Sequence, residues 1–360
     1  MREDSKKVFG IAYLDTLISA MITIFTLLVS LIEYAVLGNQ IGEYLIAESM
    51  WLIIVAATIF VLSRINKKQN QGIASLFKDN TVRKSVGVLI LISGLMSLSV
   101  YIDAIQSIVT LICQGKADPT ILLTIIDAIV IVCTILAGIY LLKYKDKTGE
   151  GYSAEIVLGV AYLYTMISTA LSLVTKLSGT IISSYKINAY YFVWFAFAVV
   201  ILFVLYRLNK KQNQDFVSVY QNDIIRKSVG ALILIGGIIS LSNYFNVARN
   251  IVSLMSSGNG TPNNIHTSIV RNCINFVIDA FQILYGIYLL KKSKPGGEHI
   301  TKIALGTIIL LGFIVPVFIM VTNMMGKAVS GDRLTAYYSL GAILIAAIFF
   351  IFFRLSKEKK

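Results

Sequence analysis

Long apolar runs separated by short polar segments dominate the pattern of residues along this chain. The runs do not alternate as barrel strands do, and they approach the roughly 20 residues that a membrane-spanning helix needs. Because backbone N–H and C=O groups in lipid must find partners within their own segment, such runs are expected to be helices. The pattern predicts ten helices, at residues 8–33, 46–63, 86–113, 121–142, 156–176, 189–206, 229–255, 270–290, 302–326 and 335–353.

Basic residues fall mainly in the polar segments on one side of these predicted helices. With the N-terminus in the cytoplasm, that side carries 25 of the 32 Lys and Arg residues. Positive charge is retained on the cytoplasmic face of membrane proteins. The pattern therefore predicts a multi-pass protein of the cell membrane with both termini in the cytoplasm. Besides the two tails, the basic segments are residues 64–85, 143–155, 207–228 and 291–302.

Composition narrows the class of protein further. Hydrophobic residues make up 56% of the chain and charged residues 14%, whereas soluble domains carry about 25% charged residues. This excludes an ordinary soluble enzyme and a disordered chain. The net charge of +13 comes from basic segments between apolar runs. We therefore expect the partners to be the lipid bilayer and its anionic cytoplasmic headgroups, and not nucleic acid.

The chain also contains an internal repeat. Residues 59–112 align without a gap with residues 202–255, at an offset of 143, and 28 of the 54 positions are identical. The identities include the sequences NKKQNQ, which begins at Asn66 and at Asn209, and RKSVG, which begins at Arg83. A shorter match, Ala-Tyr-Leu, follows an offset of 149 near the start of each copy. Duplication of a segment explains this similarity.

The repeat predicts the domain organisation of an all-α, polytopic membrane protein. A first four-helix transmembrane repeat is expected at residues 1–148 and a second at 149–297. Residues 298–360 then form an extra transmembrane hairpin and a basic C-terminal tail. A unit with an even number of spans inserts both copies in the same direction, so the repeats are parallel. Binding sites in such proteins often lie between the repeats, which is an expectation from architecture alone.

Ionisable and polar residues within the predicted spans form one candidate site. A charge that faces lipid is unfavourable, so these side chains are expected to face the bundle or a wet cavity. The outer polar group, as we name it, consists of Asp103, Asp127, Asn246, Arg249 and Asp279. Two pairs are expected to approach each other, Asp103 with Asp127 and Arg249 with Asp279. The alternative is that all five lie near the outer headgroups, where they cap helices or touch water.

The two repeated cytoplasmic loops form a second candidate site. Their cations are expected to contact anionic headgroups or a partner. The eight residues are Lys67, Lys68, Arg83, Lys84, Lys210, Lys211, Arg226 and Lys227. Each loop is also expected to hold a short interfacial helix with one apolar face. The faces consist of Ile73, Leu76, Phe77 and Val82 and of Phe216, Val219, Tyr220 and Ile224. The alternative is that the positive charge anchors the helices and that the loop identity is a remnant of duplication.

Catalytic signatures do not appear in the sequence. His266 and His299 both fall in loops, and neither belongs to a metalloprotease motif. The pattern therefore predicts a protein that is not an enzyme and needs no metal or cofactor. Pro316 interrupts the predicted ninth span, where it is expected to kink the helix. Broken helices line binding sites in transporters, although most membrane prolines only bend a helix.

Two functions remain open from the sequence alone. The first is a transporter or permease-like protein that moves a small solute or lipid along a path between the repeats. It depends on ten spans, the parallel duplication and the outer polar group. The second is a non-transporting scaffold or regulator that binds partners or anionic lipid through the repeated basic loops. It depends on the near-identity of those loops.

Overall fold

The computed structural model describes most of the N-terminal two thirds of the chain. The described residues are 3–37, 42–113, 120–143, 153–183, 189–214, 216–241, 276, 279–280 and 282–291. Every element in these ranges is an α-helix. The helices are α1 (Glu3–Leu37), α2 (Gly42–Lys68), α3 (Ile73–Lys78), α4 (Asn80–Cys113), α5 (Thr120–Lys143), α6 (Ser153–Ser183), α7 (Ala189–Lys211), α8 (Phe216–Gln221) and α9 (Asp223–Ser240). Residues 282–291 are also helical.

The long helices coincide with the apolar runs of the sequence. The first six predicted runs lie inside α1, α2, α4, α5, α6 and α7. Among the described residues, three stretches are long and apolar enough to cross a membrane, namely Glu3–Leu28, Asn80–Leu98 and Val193–Lys211. These stretches are compatible with a membrane protein. The predicted spans at 302–326 and 335–353 lie outside the described residues.

Contacts divide the chain into two compact units. The first unit comprises Met1–Leu173, Ile187–Asn243 and Gln282–Lys291. The second comprises Val174–Lys186, Tyr244–Phe281 and Lys292–Lys360. The first unit thus draws on both predicted repeats, 1–148 and 149–297. Within it α1 packs against α2, α4 and α9, and α4 packs against α5 and α7.

One hydrophobic core serves this first unit. It includes Leu14 from α1, Val86 from α4 and Leu163 from α6, all of which are fully buried. Val229 of α9 and Leu289 of helix 282–291 join the same cluster. Because residues from both predicted repeats bury one another, the repeats do not have separate cores in this unit.

Two glycines allow helix backbones to approach each other closely in this core. A Cβ atom at Gly138 of α5 would lie 2.8 Å from the backbone nitrogen of Leu91 in α4. A Cβ atom at Gly286 would lie 2.7 Å from the backbone nitrogen of Leu234 in α9. Backbone atoms cannot move aside as a flexible side chain can, so both positions require glycine. Small residues at helix contacts are typical of helices that associate in lipid.

The outward faces of the long helices are strongly apolar. On α1, Met21, Phe25 and Leu28 expose about half or more of their surface. On α5, Ile129 and Leu136 do the same, seven residues apart on one face. Soluble monomers rarely expose continuous apolar patches of this kind. The exposed faces are therefore suited to contact with lipid tails.

Candidate functional site at the basic helix ends

The same tight turn ends α2 and α7. Asn70 and Asn213 adopt the left-handed backbone conformation, each with φ 56°. The N–H of the next residue, Gln71 or Gln214, donates to the carbonyl of Asn66 or Asn209 at 2.9 Å. This pattern is the Schellman motif, in which a left-handed residue closes the last helical turn. Asparagine tolerates that conformation better than most residues.

Around these turns three amide side chains are buried, whereas the lysine side chains are exposed. Asn66, Gln69 and Asn209 are almost completely buried. The four lysines between them are exposed: Lys67 and Lys68 in the last turn of α2, and Lys210 and Lys211 in the last turn of α7. We refer to them as the lysine pairs. Each pair therefore lies on a backbone that the hydrogen bonds of the Schellman motif close.

The helices that follow the turns begin with a side-chain cap. Oδ1 of Asp79 accepts hydrogen bonds from the backbone N–H groups of Thr81 at 2.9 Å and Val82 at 3.1 Å. Oδ1 of Asn222 accepts from Ile224 at 3.1 Å and Ile225 at 3.2 Å. Such caps satisfy N–H groups that the first helical turn leaves without partners.

Arg83 is buried in the protein, with 1% of its surface exposed. Its Nε donates to the carbonyl of Leu141 in α5 at 3.3 Å, and its Nη1 donates to the carbonyl of Phe77 at 3.1 Å. Its Nη2 donates to Oδ1 of Asn80 at 2.9 Å. The guanidinium thus joins α4 to α5 and to the end of α3. This corrects the expectation that Arg83 faces lipid headgroups.

Arg226 is buried to the same degree, with 1% exposed. It forms an ion pair with Asp223, whose second carboxylate oxygen also accepts from Nζ of Lys227 at 2.8 Å. Arg226 therefore does not face headgroups either. Lys84 and Lys227 remain half-buried beside their arginines. The sequence pattern did not indicate that the two arginines are buried, because a basic residue at the start of a helix is usually solvated.

The short loop helices turn their apolar residues inward. Leu76 of α3 and Val82 of α4 are buried, and both would touch a Cβ atom at Gly10 of α1. Val219 of α8 is buried in the same core, whereas Ile73 is exposed. The predicted helices are thus present, and Leu76, Val82 and Val219 of their apolar faces pack against the protein.

A polar pocket adjoins the first turn. It has a volume of about 430 Å³ and is open to the surface. It is lined by Glu3, Lys6, Lys7, Gln71 and Asp79. Nζ of Lys7 forms an ion pair with Glu3 at 3.5 Å. The volume is in the range of small-molecule sites. We call it the N-terminal pocket.

The outer polar group is only partly described. Asp127 is exposed on α5, and Asp279 is half-buried in the second unit. Asp103 belongs to α4, but its side chain lies outside the described residues, as do Asn246, Arg249 and Pro316. The two expected approaches, Asp103 to Asp127 and Arg249 to Asp279, therefore stay predictions.

The sequence pattern did not indicate the proximity of Asp15 and Tyr164 or the N-terminal pocket. Asp15 of α1 lies near the phenol of Tyr164 of α6. The two positions are related by the offset of 149, which was the available signal. Lys6 and Lys7 counted in the sequence only as basic anchors. Their contribution to a pocket needed the fold of the loop around Gln71.

Comparison with known proteins adds no relative. No protein-family model, no curated protein and no solved structure matches the chain. Within the described ranges, no three His, Cys, Asp or Glu residues come together in a way that could hold a metal ion.

Proposed function

We propose that the chain is a multi-pass membrane protein in which a four-helix unit occurs twice. Ten spans, parallel repeats and cytoplasmic termini are parts of this proposal. It is supported by the 28 identities in 54 aligned positions. It is supported further by details that recur at the same offset, such as the left-handed Asn70 and Asn213 and the buried Arg83 and Arg226.

We propose that it acts as a non-transporting scaffold that docks an acidic cytoplasmic partner on the two lysine pairs. The observation that carries this proposal is the contrast at each turn between buried amides and exposed lysines. Anchoring by positive charge requires cations near the membrane but no defined backbone beneath them. Here each lysine pair ends a helix that is closed by a Schellman motif, so its position is restricted.

Charge complementarity would govern the encounter with such a partner. Exposed interfacial cations speed association and make it salt-dependent, and they contribute less to the lifetime of the complex. Two matching pairs on one molecule would also raise the local concentration for the second contact. An acidic partner bound in this way would dissociate as salt rises, because exposed charges are screened.

Transport between the repeats is the alternative function. It depends on Asn246 and Arg249, which lie outside the described residues. Substitution of Asp127 with Asn would abolish solute flux under the transport hypothesis. It would leave partner docking unchanged under the scaffold hypothesis, because Asp127 does not belong to the loops.

Photo-crosslinking in native membranes tests the docking proposal. A photoreactive residue in place of Lys68 or Lys211 is expected to capture the same protein, identified by mass spectrometry. Lys67→Gln and Lys210→Gln in the same chains should strongly reduce capture. A photoreactive residue at exposed Ile73 is the matched control in the same loop. Capture that persists after both glutamine substitutions would contradict the proposal.

A further inference from the structure

The N-terminal pocket carries charges that no part of the proposed docking uses. Two ammonium groups, from Lys6 and Lys7, and two carboxylates, from Glu3 and Asp79, line it together with Gln71. Part of this charge already has a partner within the protein. Lys7 pairs with Glu3, and Oδ1 of Asp79 caps α4. Lys6 is half-buried and makes no ion pair within the described part of the chain.

The second loop supplies a natural comparison for this pocket. Gln214 lies against Gly159 of α6 as Gln71 lies against Gly10 of α1, with Oε1 at 3.6 Å and 3.5 Å from a Cβ atom at the glycine. The frame of helix and glutamine is therefore common to both. The charges are not, because the residue that corresponds to Lys6 at the offset of 149 is Glu155.

Two further lining residues lose their charge in the second copy. Lys7 corresponds to Ile156, which is buried in the core. Asp79 corresponds to the neutral Asn222. The two lysines and the aspartate of the lining therefore occur in the first copy and not in the second. The charge in the first copy is thus not a requirement of the loop fold.

The chemistry of the lining selects a class of ligand. Lysine ammonium groups bind phosphate oxygens as point charges. The carboxylates of Glu3 and Asp79 oppose a doubly charged phosphate and accept hydrogen bonds from hydroxyl or ammonium groups. Oε1 of Gln71 is shielded from solvent and lies against Gly10, so it belongs to the frame of the loop and does not select the ligand. A singly charged phosphodiester with donor groups on its alcohol matches the two lysines and the two carboxylates.

The position of the pocket fits the same ligand. Its lysines directly precede Val8, where the apolar part of α1 begins. With α1 inserted as proposed, the pocket lies at the depth of the cytoplasmic headgroups. We infer that the N-terminal pocket binds a phosphodiester headgroup carrying hydroxyl or ammonium donors, with Lys6 as its main cation. This inference rests on the insertion of α1 and is independent of docking on the lysine pairs.

Binding measurements on the full chain in detergent test the inference. The probes are dioctanoyl phosphatidylglycerol and glycerophosphoglycerol, which shares the headgroup but has no acyl chains. Binding of both assigns the site to the headgroup itself, from a lipid or a soluble source. Binding of the lipid alone assigns it to a membrane phospholipid. Binding of neither probe would overturn the inference.

Variants distinguish binding in the pocket from nonspecific electrostatic attraction of the phosphate to exposed lysines. Lys6→Glu, which copies Glu155, is expected to weaken binding about tenfold or more by reversing the charge at the phosphate. Lys6→Gln should weaken it less and covers the case in which the glutamate variant does not fold, as judged by its melting temperature without ligand. Lys68→Gln, an exposed lysine outside the pocket, should bind like the unaltered chain. Equal losses at Lys6 and Lys68 would overturn the inference.

A third probe tests the role of the acceptors. Dioctanoyl phosphatidylcholine has the same phosphodiester but no hydroxyl or N–H donor on its headgroup. It is expected to bind several-fold more weakly than the glycerol lipid. Equal binding would overturn the inference, because the pocket would then recognise any phosphate. Photo-crosslinking at the lysine pairs fails or succeeds independently of all these results.

Discussion

Each of the two loop regions has a buried arginine at the same position of the repeat, but different side-chain oxygen atoms accept its hydrogen bonds. In the first, residues 64–85, Arg83 donates to the neutral side chain of Asn80. In the second, residues 207–228, Arg226 pairs with the carboxylate of Asp223. The adjacent residues are also exchanged, because Asp79 caps α4 and Asn222 caps α9. An Asp-Asn pair in one region is thus an Asn-Asp pair in the other.

This inversion shows which properties the fold requires at the two positions. A helix cap and a guanidinium partner each need a side-chain oxygen at the right distance, and both Asp and Asn supply one. The location of the negative charge is therefore free to differ. In the first region it lies at the N-terminal pocket, and in the second it lies between Arg226 and Lys227.

Removal of the buried arginines should have the largest effect, and it should be similar in both regions. Arg83→Ala leaves the carbonyls of Leu141 and Phe77 without this donor, and a buried group that loses its partner costs about 1–3 kcal/mol. We expect a loss of about 3 kcal/mol in unfolding free energy in detergent for Arg83→Ala and for Arg226→Ala. Lys84→Ala, at a half-buried neighbour, is the control and should cost about 0.5 kcal/mol or less. Tolerance of either arginine substitution would break the similarity of the two regions.

Alanine at the close helix contacts should have the next largest effect. Gly138→Ala and Gly286→Ala each force a Cβ atom against backbone, and such overpacking costs about 1–3 kcal/mol. Gly236→Ala is the matched control, since a Cβ atom there meets nothing within 4 Å. That control should be neutral or slightly stabilising, because Ala favours the helix more than Gly. Thermal unfolding in detergent distinguishes the three variants, and equal melting temperatures would contradict the contacts described.

Exchanging the side chains that pair with the two arginines should change the free energy of unfolding by a smaller amount. Asp223→Asn replaces a charge-assisted hydrogen bond to Arg226 by a neutral one, as in the first region. Because Asp223 is 37% exposed, solvent screening reduces the loss, and we expect about 1 kcal/mol. Asn80→Asp should be neutral or stabilising by a similar amount. Unfolding measurements of both variants check the exchange, and destabilisation by Asn80→Asp would count against it.

The last expected effect, a difference in alkaline stability, is absent at neutral pH. Burial is the main cause that raises the pKa of Tyr220 above its ordinary value of 10.0, and the nearby Tyr285 and Tyr288 raise it further. The folded state then keeps the phenol neutral, so its contribution is complete below pH 10 and falls as pH rises beyond it. The corresponding residue in the first region is Phe77, which does not titrate.

Tyr220→Phe should therefore remove part of the alkaline decline. Above pH 10 the unaltered chain is expected to lose up to about 1.4 kcal/mol per pH unit more than the variant. Unfolding measured at pH 9, 10 and 11 compares the two, with Phe77→Tyr as the reciprocal variant. Parallel curves for the unaltered chain and Tyr220→Phe would exclude a titrating role for this phenol.

Sequence reasoning succeeded where the signal is local. The apolar runs predicted the positions of α1, α2, α4, α5, α6 and α7 because hydrophobicity over about 20 residues is a property of the run itself. The loops were predicted to contain short helices, and α3 and α8 occur there. The burial of their apolar faces was not predicted, because period alone does not distinguish a protein surface from a membrane interface.

Helical segments, the internal sequence similarity and the clustering of basic residues between apolar runs were thus available from the sequence by itself. Each depends on composition or on identity between positions, and needs no knowledge of neighbours in space. The burial of Arg83 and the charged N-terminal pocket were decided only by the tertiary structure. Arg83 is buried because α5 brings the carbonyl of Leu141, 58 residues along the chain, to its guanidinium. The pocket forms because Gln71 and Asp79 fold back beside Lys6 of α1.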